Sequence, residues 1–136
     1  MGFGHNAVLP YLPQAKKLGA SDIIYIGHCV ATAQEYSLRA VVLAEGGDSD
    51  LLKRACLTAS QYGISALPHS ILGCDGIVDF ATETIYAGAR ECDLAALSIL
   101  TVSENSATGE RMEEHERRSR FYAASRLAFE TLATNH

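Results

Sequence analysis

Leu94-Ala-Ala-Leu-Ser-Ile-Leu-Thr-Val102 is the longest near-continuous apolar run in the chain, and such a run reads as a strand covered on both faces. Downstream, Ser103 to Gly109 reads as a polar loop. A last helix is expected from about Arg111 to Leu132, with Phe121, Ala124, Leu127, Ala128 and Thr131 as its apolar face and a charged, solvated start, EEHERRSR. Upstream, Thr82 to Cys92 predicts a helix with Ile85, Tyr86 and Ala89 turned inward. Ile64 to Leu72 reads as a strand region broken by Pro68. Leu51 to Tyr62 carries Leu51, Leu52, Ala55, Cys56 and Ala59 along one helical stripe, with Ser49 or Asp50 as cap and Gly63 as stop. Two further β-type runs precede it: Ile23 to Ile26, a buried strand bounded by Gly27, and Ala40 to Leu43, ended by the glycines of Glu45-Gly-Gly-Asp. Asn6 to Lys17 predicts a first helix, short or kinked because of Pro10 and Pro13.

Strands alternating with helices argue for an α/β domain with a largely parallel sheet, in which ligands lie beyond the carboxyl ends of the strands. Two such ends are Gly27-His-Cys and Thr101-Val-Ser-Glu-Asn. The chain has 136 residues, 48% of them hydrophobic, which suits one domain over 1–136. A net charge of −5 without a run of Lys or Arg disfavours nucleic acid and anionic membranes as partners. No apolar stretch of about 18 residues occurs, and the N-terminus lacks the form of a secretory signal, so a cytoplasmic location is expected. The four cysteines and five histidines show no metal-ligand spacing, and no metal is expected.

The run Thr101-Val-Ser-Glu-Asn-Ser-Ala-Thr-Gly-Glu110, followed by Glu116-Arg117, resembles the purine nucleoside phosphorylase signature T-V-S-D-x-x-x-T-x-E…E-R. Val78-Asp-Phe-Ala-Thr-Glu-Thr-Ile-Tyr86 is similar to the family's V-E-M-E-x-x-x-[IL]-Y. Gly19-Ala-Ser-Asp-Ile-Ile-Tyr-Ile-Gly-His-Cys-Val30 resembles its G-x-x-x-I-I-R-V-G-[ST]-C-G, and Gly2-Phe3-Gly4 an earlier G-x-G. All four stand in the family's order. The chain thus resembles the central and C-terminal part of a bacterial, hexameric-type purine nucleoside phosphorylase, shortened after Glu45-Gly-Gly-Asp.

The resemblance implies a three-layer α/β/α fold and phosphorolysis of a purine nucleoside to base and ribose 1-phosphate, with phosphate as co-substrate and no cofactor. It assigns Glu104 as proton donor to the leaving base and Arg117 as its helper. By position it assigns Cys29, Val30, Val78 and Ser103 to the base, and His28, Asp79 and Phe80 to the ribose. Nucleoside or base would be the ligand, and homo-oligomers the expected assembly. Departures from the pattern are specific. Glu104 replaces an aspartate, adding one methylene. Ala81 stands where the family has its ribose-gripping glutamate, and Glu83, two residues on, points about 200° away on a helix. Tyr25 stands where the family has a phosphate-binding arginine. Three readings stay open: an active phosphorylase, a hydrolytic nucleosidase (which the Gly27-His-Cys turn also resembles), and a non-catalytic relative that binds nucleoside or partners a longer chain. Without the resemblance, Glu104 and Arg117 read as a surface ion pair worth about 0–1 kcal/mol.

Overall fold

In the computed structural model, residues 17–70, 76–79, 81–119 and 122–133 are described. Gly2-Phe3-Gly4, the expected first helix except Lys17, and Phe80 and Phe121 lie outside them. Among the described residues, six strands, β1 (Asp22–Ala31), β2 (Val41–Ala44), β3 (Ala66–His69), β4 (Ile77–Val78), β5 (Ala95–Asn105) and β6 (Glu110–Arg111), form one sheet. Its order is β3-β2-β5-β1-β4, with β6 on β5. The helices are α1 (Ser49–Gln61), α2 (Thr82–Glu91), α3 (Glu114–Ser119) and α4 (Tyr122–Ala133).

Strand alternation splits the core in two. Val42, Ala44, Ala96, Leu100, Val102, Cys29 and Ala31 face α2 and pack with Ile85, Tyr86 and Ala89. Val41, Leu43, Leu97 and Ile99 face the other way, onto Leu51, Ala55 and Ala59 of α1 and Ala124, Leu127 and Ala128 of α4. Helices on both faces of a sheet make the expected α/β/α layers, because each strand residue points opposite to its neighbour. The inward residues of α2, and Ala124, Leu127, Ala128 and Thr131 of the last helix, are buried as their spacing predicted.

The sheet is mixed rather than largely parallel. β1 pairs with β5, and β2 with β3, in parallel; β2 runs antiparallel to β5, β4 to β1 and β6 to β5. A parallel return needs a crossover of about a dozen residues or more, usually a helix. The link over 32–40 is too short for one, so β2 reverses direction. β2, α1 and β3 do form such a crossover.

Other expectations are corrected by pairing and capping. The cap of α1 is Asp48, whose backbone is extended and whose Oδ2 accepts from Leu51 N–H at 2.9 Å; Ser49 and Asp50 are already helical and cannot reach back the same way. Gly63, at φ 68°, stops the helix as expected. β3 passes through Pro68 because it is an edge strand, where the missing N–H need face no partner. β1 continues through Gly27 to Ala31, and its first half is only partly covered, with Ile26 36% exposed. β5 runs past Val102 to Asn105, since Glu104 and Asn105 find partners on both β1 and β6. Helix after β5 begins with α3 at Glu114 rather than at Arg111, as Glu110 and Arg111 belong to that hairpin. Tyr86 shows how one side chain closes a gap: beyond the pair Leu43 and Ile99, its hydroxyl donates to the Ala44 carbonyl at 2.6 Å and accepts from Ser98 N–H at 2.8 Å.

Candidate active site

The carboxyl ends of β1 and β5 lie side by side because the two strands are parallel and paired along their whole length. The register steps from Cys29 opposite Val102 to Val30 opposite Glu104, leaving Ser103 as the extra residue of a β-bulge. Across the step, Val78, Val30, Glu104 and Arg111 form one row over β4, β1, β5 and β6. Residues paired in this way share a face of the sheet. Three distant segments of sequence, the last of them a hairpin, are thereby brought into one line at the strand ends.

Glu104 is half-exposed, its carboxylate 4.0 Å from Nε of Arg111, whose side chain is 65% exposed. At that exposure the pair is a weak one. His28 is exposed, opposite Thr101, and its Nδ1 lies 3.4 Å from the Ser103 hydroxyl. The same hydroxyl is 3.4 Å from the Cys29 carbonyl. The Cys29 side chain is 1% exposed and belongs to the core under α2. Burial, with Asp79 adding to it, pushes its thiol up to about 12, so it is a neutral group at pH 7. A ligand at this edge would meet the backbone of Cys29 rather than its sulfur.

Asp79 starts α2: its Oδ2 accepts from Thr82 N–H at 2.8 Å and from the Thr82 hydroxyl. Ala81 is buried at the same helix end, and Glu83 is exposed, as helical geometry requires of a residue two positions on. Tyr25 is folded along its own strand; a Cβ on Gly27 would lie 2.7 Å from its ring. Its phenol is raised from its ordinary value, first by burial and then by Asp79. Arg117 lies on α3, its side chain outside what is described. Phe80 is outside the described residues altogether.

Two residues escaped sequence reasoning. Asn105, 1% exposed, donates from Nδ2 to the carbonyls of Ala33 and Tyr36 at 2.9 and 2.8 Å, and accepts at Oδ1 from Ala107 and Thr108 N–H. It ties the link over 32–40 to the hairpin after β5. Arg39 holds Glu116 through two guanidinium nitrogens. Asn105 stood inside the quoted motif as a polar residue beside a strand end, a detectable signal; Arg39 gave none.

A half-exposed carboxyl at the end of central strands can deliver a proton to a leaving group held there. No family model matches the chain. Its fold is that of a nucleoside phosphorylase: a crystal structure of Schistosoma purine nucleoside phosphorylase in complex with hypoxanthine superposes with a TM-score of 0.79, covering 99% of this chain and 70% of that one at 14% identity. In sequence the chain is similar to DeoD-type purine nucleoside phosphorylases. That of Actinobacillus pleuropneumoniae is 27% identical over 172 aligned residues, covering 95% of this chain and 72% of the relative; that of Alkaliphilus metalliredigens is 25% identical over 168, with the same coverage. An alignment of 172 positions exceeds the 136 residues of the chain, so the relative has interior stretches that this chain lacks.

Proposed function

We propose that this protein cleaves the N-glycosidic bond of a purine nucleoside by phosphorolysis, releasing base and ribose 1-phosphate. The observation that carries the reading is Glu104 at the carboxyl end of β5, in one row with Val30 and Val78 of β1 and β4. Departure of a purine leaves charge on the base, while the sugar becomes oxocarbenium-like. Protonation of the base by Glu104, assisted by Arg117, removes that charge; Val30, Val78, Cys29 and Ser103 line the base, and His28, Asp79 and Phe80 the sugar. Phosphate is the co-substrate, and no cofactor takes part. Copies of the chain associate, an expectation supported by exposed Leu57 on α1 and Phe129 and Leu132 on α4. The protein works in the cytoplasm.

Tyr25 favours a second reading, in which water replaces phosphate. Its neutral ring packs along β1 against Gly27, offering no positive charge to an anion. One experiment separates the readings. Inosine or adenosine is incubated with the protein, with and without phosphate, and base release is followed by chromatography. Phosphorolysis predicts release that requires phosphate and falls on the order of 10²-fold or more in Glu104→Gln. Equal release without phosphate selects hydrolysis. Absence of release in both conditions rejects both.

A further inference from the structure

Arg39 touches every piece of chain that carries the acid and its helper. Its backbone N–H donates to the Val102 carbonyl at 2.8 Å, and Val102 N–H donates to the Ala40 carbonyl at 2.9 Å. The residue is therefore a rung on β5, two positions before Glu104. Its backbone φ of 72° is a left-handed conformation that residues other than glycine seldom adopt. From there the guanidinium forks onto Glu116 of α3, Nε to Oε2 and a terminal nitrogen to Oε1 at 2.8 Å. Glu116 is the more sheltered partner, its side chain 15% exposed against 55% for Arg39. Glu110, on β6, adds a second negative charge within range of the same guanidinium.

The helix at the far end of this fork follows directly on the hairpin after β5. α3 is described over Glu114–Ser119. Its N-terminal tether is Met112, whose N–H donates to the Ser103 carbonyl at 2.8 Å and whose side chain is buried. Another anchor is the Arg39 fork, and the residue after Glu116 is Arg117. A bidentate guanidinium–carboxylate pair fixes orientation as well as distance.

We infer that Arg39 is a positioning residue: by joining β5 to Glu116 it sets where α3 presents Arg117 relative to Glu104. The inference rests on the cleavage reading above and acts through its helper. It is tested with kcat and KM for base release in the unaltered protein, Arg39→Ala, Arg117→Ala and the double variant. Arg39→Ala is expected to lower kcat about tenfold or more with KM within about threefold, because misplacement by about 1 Å is costly to catalysis and not to binding. In the Arg117→Ala background the same change is expected to cost less than about twofold, since residues that act through one another are not additive. Arg39→Lys, which keeps the charge and loses the fork, follows Arg39→Ala, and replaces it in the cycle should the alanine variant fail to fold by circular dichroism. Equal losses in both backgrounds, or full activity in Arg39→Lys, overturn the inference and leave the cleavage reading standing. No base release by the unaltered protein overturns the cleavage reading, and the inference with it.

Discussion

Asn105 is buried to 1% exposure, and both faces of its amide are occupied: two donors reach carbonyls 72 and 69 residues earlier, and the oxygen takes two N–H groups of the following turn. Removing the amide takes a donor from the carbonyl of Tyr36 and from that of Ala33, which keeps Tyr36 N–H at 3.3 Å, and takes the acceptor from the turn after β5. Asn105→Ala is therefore expected to lower unfolding free energy by about 2–3 kcal/mol, read from urea denaturation. Asn105→Asp is expected to fare no better, because it loses the donors and buries a charge; stability equal to the parent in either variant would remove this role. Glu104, one residue earlier, was legible from its motif alone. Asn105 was not given a role, because what it holds lies in a segment that no local pattern connects to it.

At the scale of elements, two helix starts use a carboxylate from different positions: the cap position itself in α1, and in α2 a residue two before its cap position, Ala81, which makes no side-chain bond. Asp48 caps α1 through Leu51 N–H, and Asp79 caps the first turn of α2 through Thr82 N–H and hydroxyl. Each carboxylate satisfies an N–H that the helix leaves unbonded and meets the positive end of the helix dipole. Asp79→Ala is expected to cost about 1 kcal/mol of stability, and Asp79→Ser less than half of that, since serine is also a capping residue. Should Asp79 serve the ligand alone, both variants would melt like the parent and differ only in nucleoside affinity. The two helical stripes and four of the strand runs could be read from period and punctuation. Pro68 could not: a proline breaks an interior strand and is harmless at an edge, and which strand becomes the edge is a property of the assembled sheet.

For the whole molecule, the buried acids on the α2 side of the sheet set its response to alkali. Cys29 is pushed from 9.0 to about 12, first by burial and then by Asp79; Tyr25 and Tyr86 are raised too, burial leading in both. Above pH 9 the unfolded chain releases the Cys29 proton while the folded chain keeps it, so the folded state binds more protons and stability falls as pH rises toward 12. Below pH 9 this contribution is fully present. Denaturation midpoints are expected to drop between pH 9 and 11, less steeply in Cys29→Ala; an unchanged slope in that variant would show that the thiol is not responsible. By itself the sequence determined the alternation of strands and helices, the inward faces of α2 and α4, and the ordered motifs that resemble a nucleoside phosphorylase. Each of these is written in residues close along the chain. The tertiary structure alone decided the strand directions, the length of β5, the pairing of Glu104 with Arg111 and the fork from Arg39 to Glu116. Local patterns record which residues seek burial, whereas the partner each one finds depends on how short links and edges force distant segments together.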